Sequence, residues 1–184
     1  CLASRRRCRL ANNRSARLMR WRRCEPPPKR RPISVSVSRG PLTVAAVLFG
    51  ADIFTLLALD PDKARELLLF ITQAAADRTR ALRRHAGQPE KTTGGTLADD
   101  SIQLISGQMV EEIVLPAHEL WYRETSESTP ETRNRFLHCC GDATRHFRML
   151  HEKSGVMSFD TGFPVDHGAL RKELGPDVHL AGGP

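Results

Sequence analysis

The sequence predicts an α/β fold of about five β/α units, and three observations carry that prediction. Short aliphatic runs alternate with amphipathic helical patterns from Ser34 onward. Hydrophobic residues make up 40% of the chain and aromatic residues only 5%, the composition of an aliphatic α/β protein. The length of 184 residues allows one domain with a real core. Helices that cross between strands imply parallel pairing and right-handed connections. Periodicity leaves two architectures open, a doubly wound sheet or part of a barrel, and a closed (β/α)8 barrel takes roughly 250 residues.

The elements follow in order. Leu42 to Leu48, apolar except for Thr43, reads as a buried strand. Asp60-Pro61 opens a helix with an N-cap and an N1 proline, and its core stripe is Leu67, Leu68, Ile71, Ala74, Ala75 and Leu82. Gly87 closes that helix, and Gly94-Gly95 leads into a short strand at Thr96 to Ala98. Ser106 caps a helix whose stripe of Val110, Ile113, Val114, Ala117, Leu120 and Trp121 keeps the i, i+3, i+4, i+7 spacing. Pro116 should kink it. The pattern then gives a strand at Arg135 to Cys139, a helix from about Ala143 to Lys153 and a strand at Val156 to Phe159. A helix capped by Asp166 follows through Leu174, and a last strand runs from Val178 to Ala181.

Charge divides the chain at residue 39. Residues 1–39 hold 13 of the 28 Lys and Arg and one of the 21 acids, a net of +12, so the remainder carries −5 and the basic balance belongs to the leader. Residues 1–38 are therefore expected to be a basic, disordered leader, with a transit peptide, a nucleic-acid tail or mistranslated upstream sequence as its possible meanings. Residues 39–184 form the expected globular domain, whose mildly acidic balance suits a cytoplasmic enzyme and gives no footprint for nucleic acid. The run Val44 to Leu59 is interrupted by Asp52 and falls short of the roughly 20 residues of a spanning helix. Cys1, Cys8 and Cys24 lie in the leader, and adjacent Cys139 and Cys140 are poorly placed to bridge each other. The start at Cys1 and the stop at Pro184 suggest a piece of a longer chain.

In parallel α/β folds of either kind, ligands bind beyond the carboxyl ends of the strands. The polar residues there are Asp52, Asp99, Asp100, His138, Cys140, Asp142, Asp160 and Thr161. Asp99-Asp100 supplies either a general base with a substrate-orienting carboxylate or a turn cap. Asp160 is either a working carboxylate or a solvated loop residue. His138 and Cys140 stand two apart at a strand end, so their side chains project to the same face while Cys139 faces away. An imidazole and a thiolate so placed form a two-ligand grip for zinc, which normally takes a third protein ligand. A hydrogen-bonded histidine beside a packed thiol is the other meaning of the pair. The remaining histidines show no convergent spacing.

Taken as a series, Gly40-Pro41-Leu42-Thr43, Asp60-Pro61-Asp62-Lys63, Asp99-Asp100-Ser101-Ile102-Gln103-Leu104-Ile105-Ser106, His138-Cys139-Cys140-Gly141-Asp142, Phe159-Asp160-Thr161-Gly162 and Leu180-Ala181-Gly182-Gly183-Pro184 resemble the uroporphyrinogen decarboxylase superfamily. The resemblance runs from about Arg39 to the end and implies part of a (β/α)8 barrel with its active site at the carboxyl face. That superfamily holds decarboxylases of porphyrin and haem biosynthesis, which use no cofactor, and zinc-dependent methyltransferases that move a methyl group between a corrinoid and a thiol. His138-x-Cys140 resembles the methyltransferase zinc motif, whose third ligand, a cysteine on a later strand, would lie beyond Pro184. Decarboxylases carry a tyrosine where this chain has Val47 and a serine where it has Asp100, and their amino-terminal Arg- and Asp-bearing segments have no counterpart in residues 1–38.

The resemblance thus implies His138 and Cys140 as metal ligands, Asp100 and Asp160 as catalytic residues, and Asp99 and Asp142 as substrate-binding residues. It also implies Asp142 or Asp160 as the group that orients His138. The expected cofactor is zinc, and the expected partners are a small-molecule substrate and a corrinoid protein, with no membrane and no nucleic acid. A cofactor-free decarboxylase and an inactive fragment are the alternatives.

Overall fold

The computed structural model describes residues 39–182, and the leader expected over residues 1–38, with its disorder, lies outside them. The described fold opens on helix α1, Pro41–Phe49, where the sequence predicts a buried strand. A short run that is apolar but for Thr43 shows no clear period, so strand and helix cannot be told apart on hydrophobicity alone. Two local features decide for the helix. Pro41 sits in the first turn with its φ already helical, and a remote carboxylate supplies the cap that Gly40 lacks. The amides of Leu42 and Thr43 donate to Asp99 at 3.3 and 2.8 Å, and the Thr43 hydroxyl donates to it at 2.7 Å. A Cβ at Gly40 would overlap the Asp99 side chain, so glycine is what permits this approach.

Helix α2, Asp52–Leu59, is bent 117° from α1 after Gly50, whose φ is +60°. Among the described residues no single helix is long and apolar enough to cross a membrane. Helix α3, Pro61–His85, is capped by Asp60, whose side chain accepts from the Lys63 amide at 3.2 Å. Its buried row differs from the expected stripe. Leu68 and Ile71 are buried, but Ala74 and Leu82 are exposed, and the row continues through Thr72, Ala76, Thr79 and Arg83. The polar members are tolerated because carbonyls receive them: Thr72 donates to Leu68 O at 2.6 Å and Arg83 to Thr125 O at 2.7 Å.

Strand β1, Gly95–Ala98, runs into a 3₁₀ turn at Asp100–Leu104, then a short helix α4, Gly107–Met109, capped by Ser106. A π turn over Val110–Val114 joins α4 to α5, Leu115–Thr125. This is where the sequence predicts a kink. Pro116 has no amide to return to Glu112 O, and Arg65 Nε donates to that carbonyl at 2.9 Å instead. Strand β2, Arg135–Cys139, helix α6, Thr144–Ser154, strand β3, Val156–Thr161, helix α7, His167–Leu174, and strand β4, His179–Gly182, complete the chain.

The four strands are all parallel and lie in sequential order β1-β2-β3-β4. A doubly wound sheet reverses its order at a switch point; this sheet does not, and it forms an arc of a (β/α)8-type wall. Among the described residues the strands number four where about five are expected, because α1 stands in place of the first. Arg39, just before α1, makes a parallel bridge to Ala98 and so marks the next position along the wall. One face of the sheet, through Leu97, Leu137 and Phe159, is fully buried under the helices, where Phe159 meets Phe147 of α6 at 4.9 Å between ring centroids. The other face, through Thr96, Phe136, His138, Ser158 and Asp160, stays half-buried or exposed.

Asp99 is fully buried and ties α1, β1 and α5 together, because His118 of α5 also bonds its Oδ2 at 2.9 Å. Replacing it by alanine leaves two helix amides and an imidazole unpaired. Urea denaturation of Asp99→Ala should show a loss of about 3–5 kcal/mol; a loss under about 1 kcal/mol would mean that the clamp does not hold the fold.

His146 is fully buried, with Nε2 on Ile102 O at 3.0 Å and Nδ1 without a hydrogen-bond partner. Burial holds its pKa below the ordinary 6.5, with Arg145 acting in the same direction. A histidine kept neutral in the fold contributes stability that is present above the unfolded pKa and is lost as pH falls through it. Stability should therefore drop between pH 7 and pH 5 (about the unfolded histidine range), and His146→Gln, which keeps a donor for Ile102 O, should flatten that drop.

Candidate functional site

Strand register assembles the site. Ala98, His138, Asp160 and Ala181 are partners in one row across β1 to β4. Residues in one row of a parallel sheet share a face, so His138 and Asp160 are neighbours by construction. Asp100 and Cys140 lie just past the ends of β1 and β2, and their contacts with each other and with His138 bring both to the same side. Gly162 packs against the Cys140 carbonyl so closely that any Cβ there would overlap it. The strand ends are thereby brought together on the half-buried face, at their carboxyl ends.

The contacts are specific. His138 Nδ1 bonds Asp160 Oδ2 at 2.8 Å, and since a carboxylate accepts, Nδ1 carries the proton. The Nε2 lone pair is then directed at Cys140 Sγ, 2.7 Å away. Asp100 Oδ1 accepts the Cys140 amide at 2.7 Å and lies 3.7 Å from His138 Nε2. One donor atom each from Asp100, His138 and Cys140 falls within 4.8 Å of the others. The side chains of His138, Asp160 and Asp100 are 29%, 37% and 39% exposed, so the cluster is open to a ligand.

Burial, followed by the neighbouring Asp100 and Asp160 charges, raises the Cys140 thiol above its ordinary value. The raised thiol lies between His138 Nε2 and the Asp100 carboxylate. Cys139, on the opposite face, is buried, and burial pushes its thiol up to about 11.

Of the residues expected from sequence, His138, Cys140, Asp160 and Asp100 converge. Asp99 does not join them: its carboxylate is buried and occupied by Leu42, Thr43 and His118, so it anchors helices beneath the site and is closed to substrate. Asp142 is exposed but turned back on Thr144, whose hydroxyl and amide donate to it at 2.6 and 3.1 Å. Between the two groups expected to orient His138, Asp160 does so. Asp52 is an exposed residue opening α2.

Sequence reasoning passed over His118. It occupies the buried stripe of α5 between Val114 and Trp121, and a histidine in such a row signals a buried acceptor. A cavity of about 360 Å³ lined by Glu119, Ser128 and Arg135 opens at the amino end of β2, away from the cluster.

Iodoacetamide should modify Cys140 and spare Cys139 in the folded chain. The Cys140 rate, followed by peptide mass spectrometry, should rise with pH to a midpoint above the usual cysteine value of about 8.5. A rate already at its plateau at pH 7 would mean an ion pair of thiolate and imidazolium instead.

Comparison with curated proteins and with solved structures finds no match to this chain. A family model described as uroporphyrinogen decarboxylase (URO-D) matches residues 29–183. The parallel, sequentially ordered α/β wall agrees with that match, and the chain belongs to the uroporphyrinogen decarboxylase family.

Proposed function

We propose that the cluster at the carboxyl ends of β1 to β3 is a zinc site for transfer of a methyl group from a corrinoid to a thiol. The observation that carries this reading is the pair of bonds on His138, with Asp160 on Nδ1 and Cys140 Sγ facing Nε2. A carboxylate on the far nitrogen of a ligating histidine fixes its tautomer and raises its basicity.

The donors fit the ion. An imidazole nitrogen and a thiolate sulfur are ordinary zinc ligands, and on one tetrahedral ion they stand roughly 3.6 Å apart. Cys140 is exposed and free to rotate outward by the ~1 Å this requires. Zinc held there would act as a Lewis acid that lowers the pKa of a substrate thiol at neutral pH. His138 and Cys140 would hold the ion, Asp160 would keep His138 in the right tautomer, and the half-buried face would admit the small-molecule thiol. A corrinoid on a partner protein would supply the methyl group: the substrate thiol, its proton released to solvent, would form the sulfur–carbon bond as the carbon–cobalt bond broke, the electron pair of that bond staying with the corrinoid.

A cofactor-free decarboxylase would rely on Asp99 as its working carboxylate and carries serine where this chain has Asp100, so the burial of Asp99 and the identity of Asp100 both weigh against that alternative. Zinc analysis separates the readings. The full 184-residue chain should bind one zinc ion, Cys140→Ser should lose it, and Asp160→Asn should weaken binding by about 10- to 100-fold. With a methyl-corrinoid and a small thiol supplied, wild type should form the thioether and Cys140→Ser should not. Carbon dioxide release from a porphyrinogen by zinc-free protein would favour decarboxylation and sink the methyltransferase proposal.

A further inference from the structure

Building on the zinc reading, we infer that Asp100 is a metal ligand, so that this chain holds a three-donor site of Asp100, His138 and Cys140 within itself. The sequence pattern places Asp100 among carboxylates that act on substrate. Its position in the fold gives it a different task.

Three observations carry the inference. First, Asp100 Oδ1 and His138 Nε2 are 3.7 Å apart. Oxygen and nitrogen donors on one tetrahedral zinc ion stand roughly 3.4 Å apart, given metal–donor lengths near 2.0–2.2 Å. This pair is thus close to its bound spacing before any ion arrives.

Second, Asp100 is bound to the ligand loop itself. Its Oδ1 accepts the Cys140 amide at 2.7 Å, so the turn after β1 and the turn after β2 are joined at the point where both present donors. The 3₁₀ turn at Asp100–Leu104 begins with this residue, and Ser101, next to it, donates its amide to Thr43 Oγ1 at 3.1 Å. Thr43 is in turn bonded to Asp99. A buried framework therefore sets where Asp100 stands.

Third, the charges balance. One thiolate and one carboxylate neutralise a divalent ion, and a neutral imidazole completes three protein donors. That is the donor count of catalytic zinc sites, whose fourth position is left to water or substrate. Nitrogen, sulfur and oxygen in one set favour zinc or cobalt over magnesium or calcium, which prefer oxygen alone.

Cobalt(II) is the probe, because a bound thiolate gives it a charge-transfer absorption and tetrahedral coordination gives it intense visible bands. The full 184-residue chain should bind one cobalt ion with both signatures. Asp100→Asn keeps an oxygen acceptor for the Cys140 amide but removes the charged donor. It should weaken cobalt binding by more than about 100-fold, beyond the about 10- to 100-fold that loss of an outer carboxylate costs.

An unchanged Kd in Asp100→Asn, with an unchanged visible spectrum, overturns Asp100 as a ligand and leaves the zinc proposal standing. Failure of the wild-type chain to bind cobalt or zinc overturns the zinc proposal itself, and Asp100 with it. X-ray absorption of the zinc-loaded wild type decides independently of how the variant folds. One sulfur with nitrogen and oxygen neighbours supports the three-donor set, and two sulfurs put another cysteine in the place assigned to Asp100.

Discussion

Parallel register is the constraint on which the site depends. His138 and Asp160 are 22 positions apart in the chain, yet they are partners in the ladder of β2 and β3, and a single hydrogen bond of 2.8 Å follows from that pairing. Side chains alternate with a period of two, so a slip of one residue would send Asp160 to the helix-facing side and bring Phe159 toward His138. Register is held where burial is strongest. Leu137 pairs with Phe159 and Leu97 with Leu137, and all three are fully buried. The apolar face of each strand therefore positions the chemistry on the opposite face. The one irregularity, between Arg135 and Phe136, lies at the amino end of β2, where it leaves the carboxyl ends aligned.

Asp99 shows how a buried carboxylate can organise helices. It accepts from the first two free amides of α1, from Thr43 Oγ1 and from His118 of α5, while its own amide donates to His138 O at 3.0 Å in the β1–β2 ladder. The negative charge lies at the positive end of α1, where partial charges of the free amides favour it. Adjacent Asp100 faces outward beside His138 and Cys140. Alternation along the chain thus gives two neighbouring aspartates opposite environments, one within the framework and one at the surface of the cluster.

Much of this was legible in the sequence. The short run Arg135 to Cys139 after the polar turn at Ser126 to Glu131 reads as β2 at its observed bounds, and Asp166 marks the start of α7, where it accepts the Gly168 and Ala169 amides at 2.8 and 3.0 Å. His138 and Cys140 were legible as a pair because alternation is local. What could not be read were the facts that depend on partners distant in the chain. The sequence reads as a strand where α1 forms because the helix cap comes from Asp99, 57 positions from Leu42. The buried row of α3 departs from the apolar stripe because Thr72 and Arg83 donate to carbonyls that the pattern of apolar residues does not reveal. The choice between Asp142 and Asp160 as partner of His138 likewise needed register, since both lie near strand ends and only one lies in the row.

The same register underlies the proposed cation site. It gathers the carboxylates of Asp100 and Asp160 and the Cys140 thiol around one imidazole, at the carboxyl end of a parallel sheet. Desolvation and those acids raise the thiol's pKa and so favour its protonated, neutral form. A divalent cation entering there would displace that proton and meet the thiolate, the His138 lone pair and the Asp100 carboxylate together. Metal affinity and thiol ionisation are then one equilibrium, and affinity rises with pH because the ligand must lose its proton to bind. Asp160 stands outside that exchange. It holds the proton of His138 on Nδ1 and leaves Nε2 free for the ion, and this division of labour between two carboxylates follows from one being in the row of His138 and the other two residues past it.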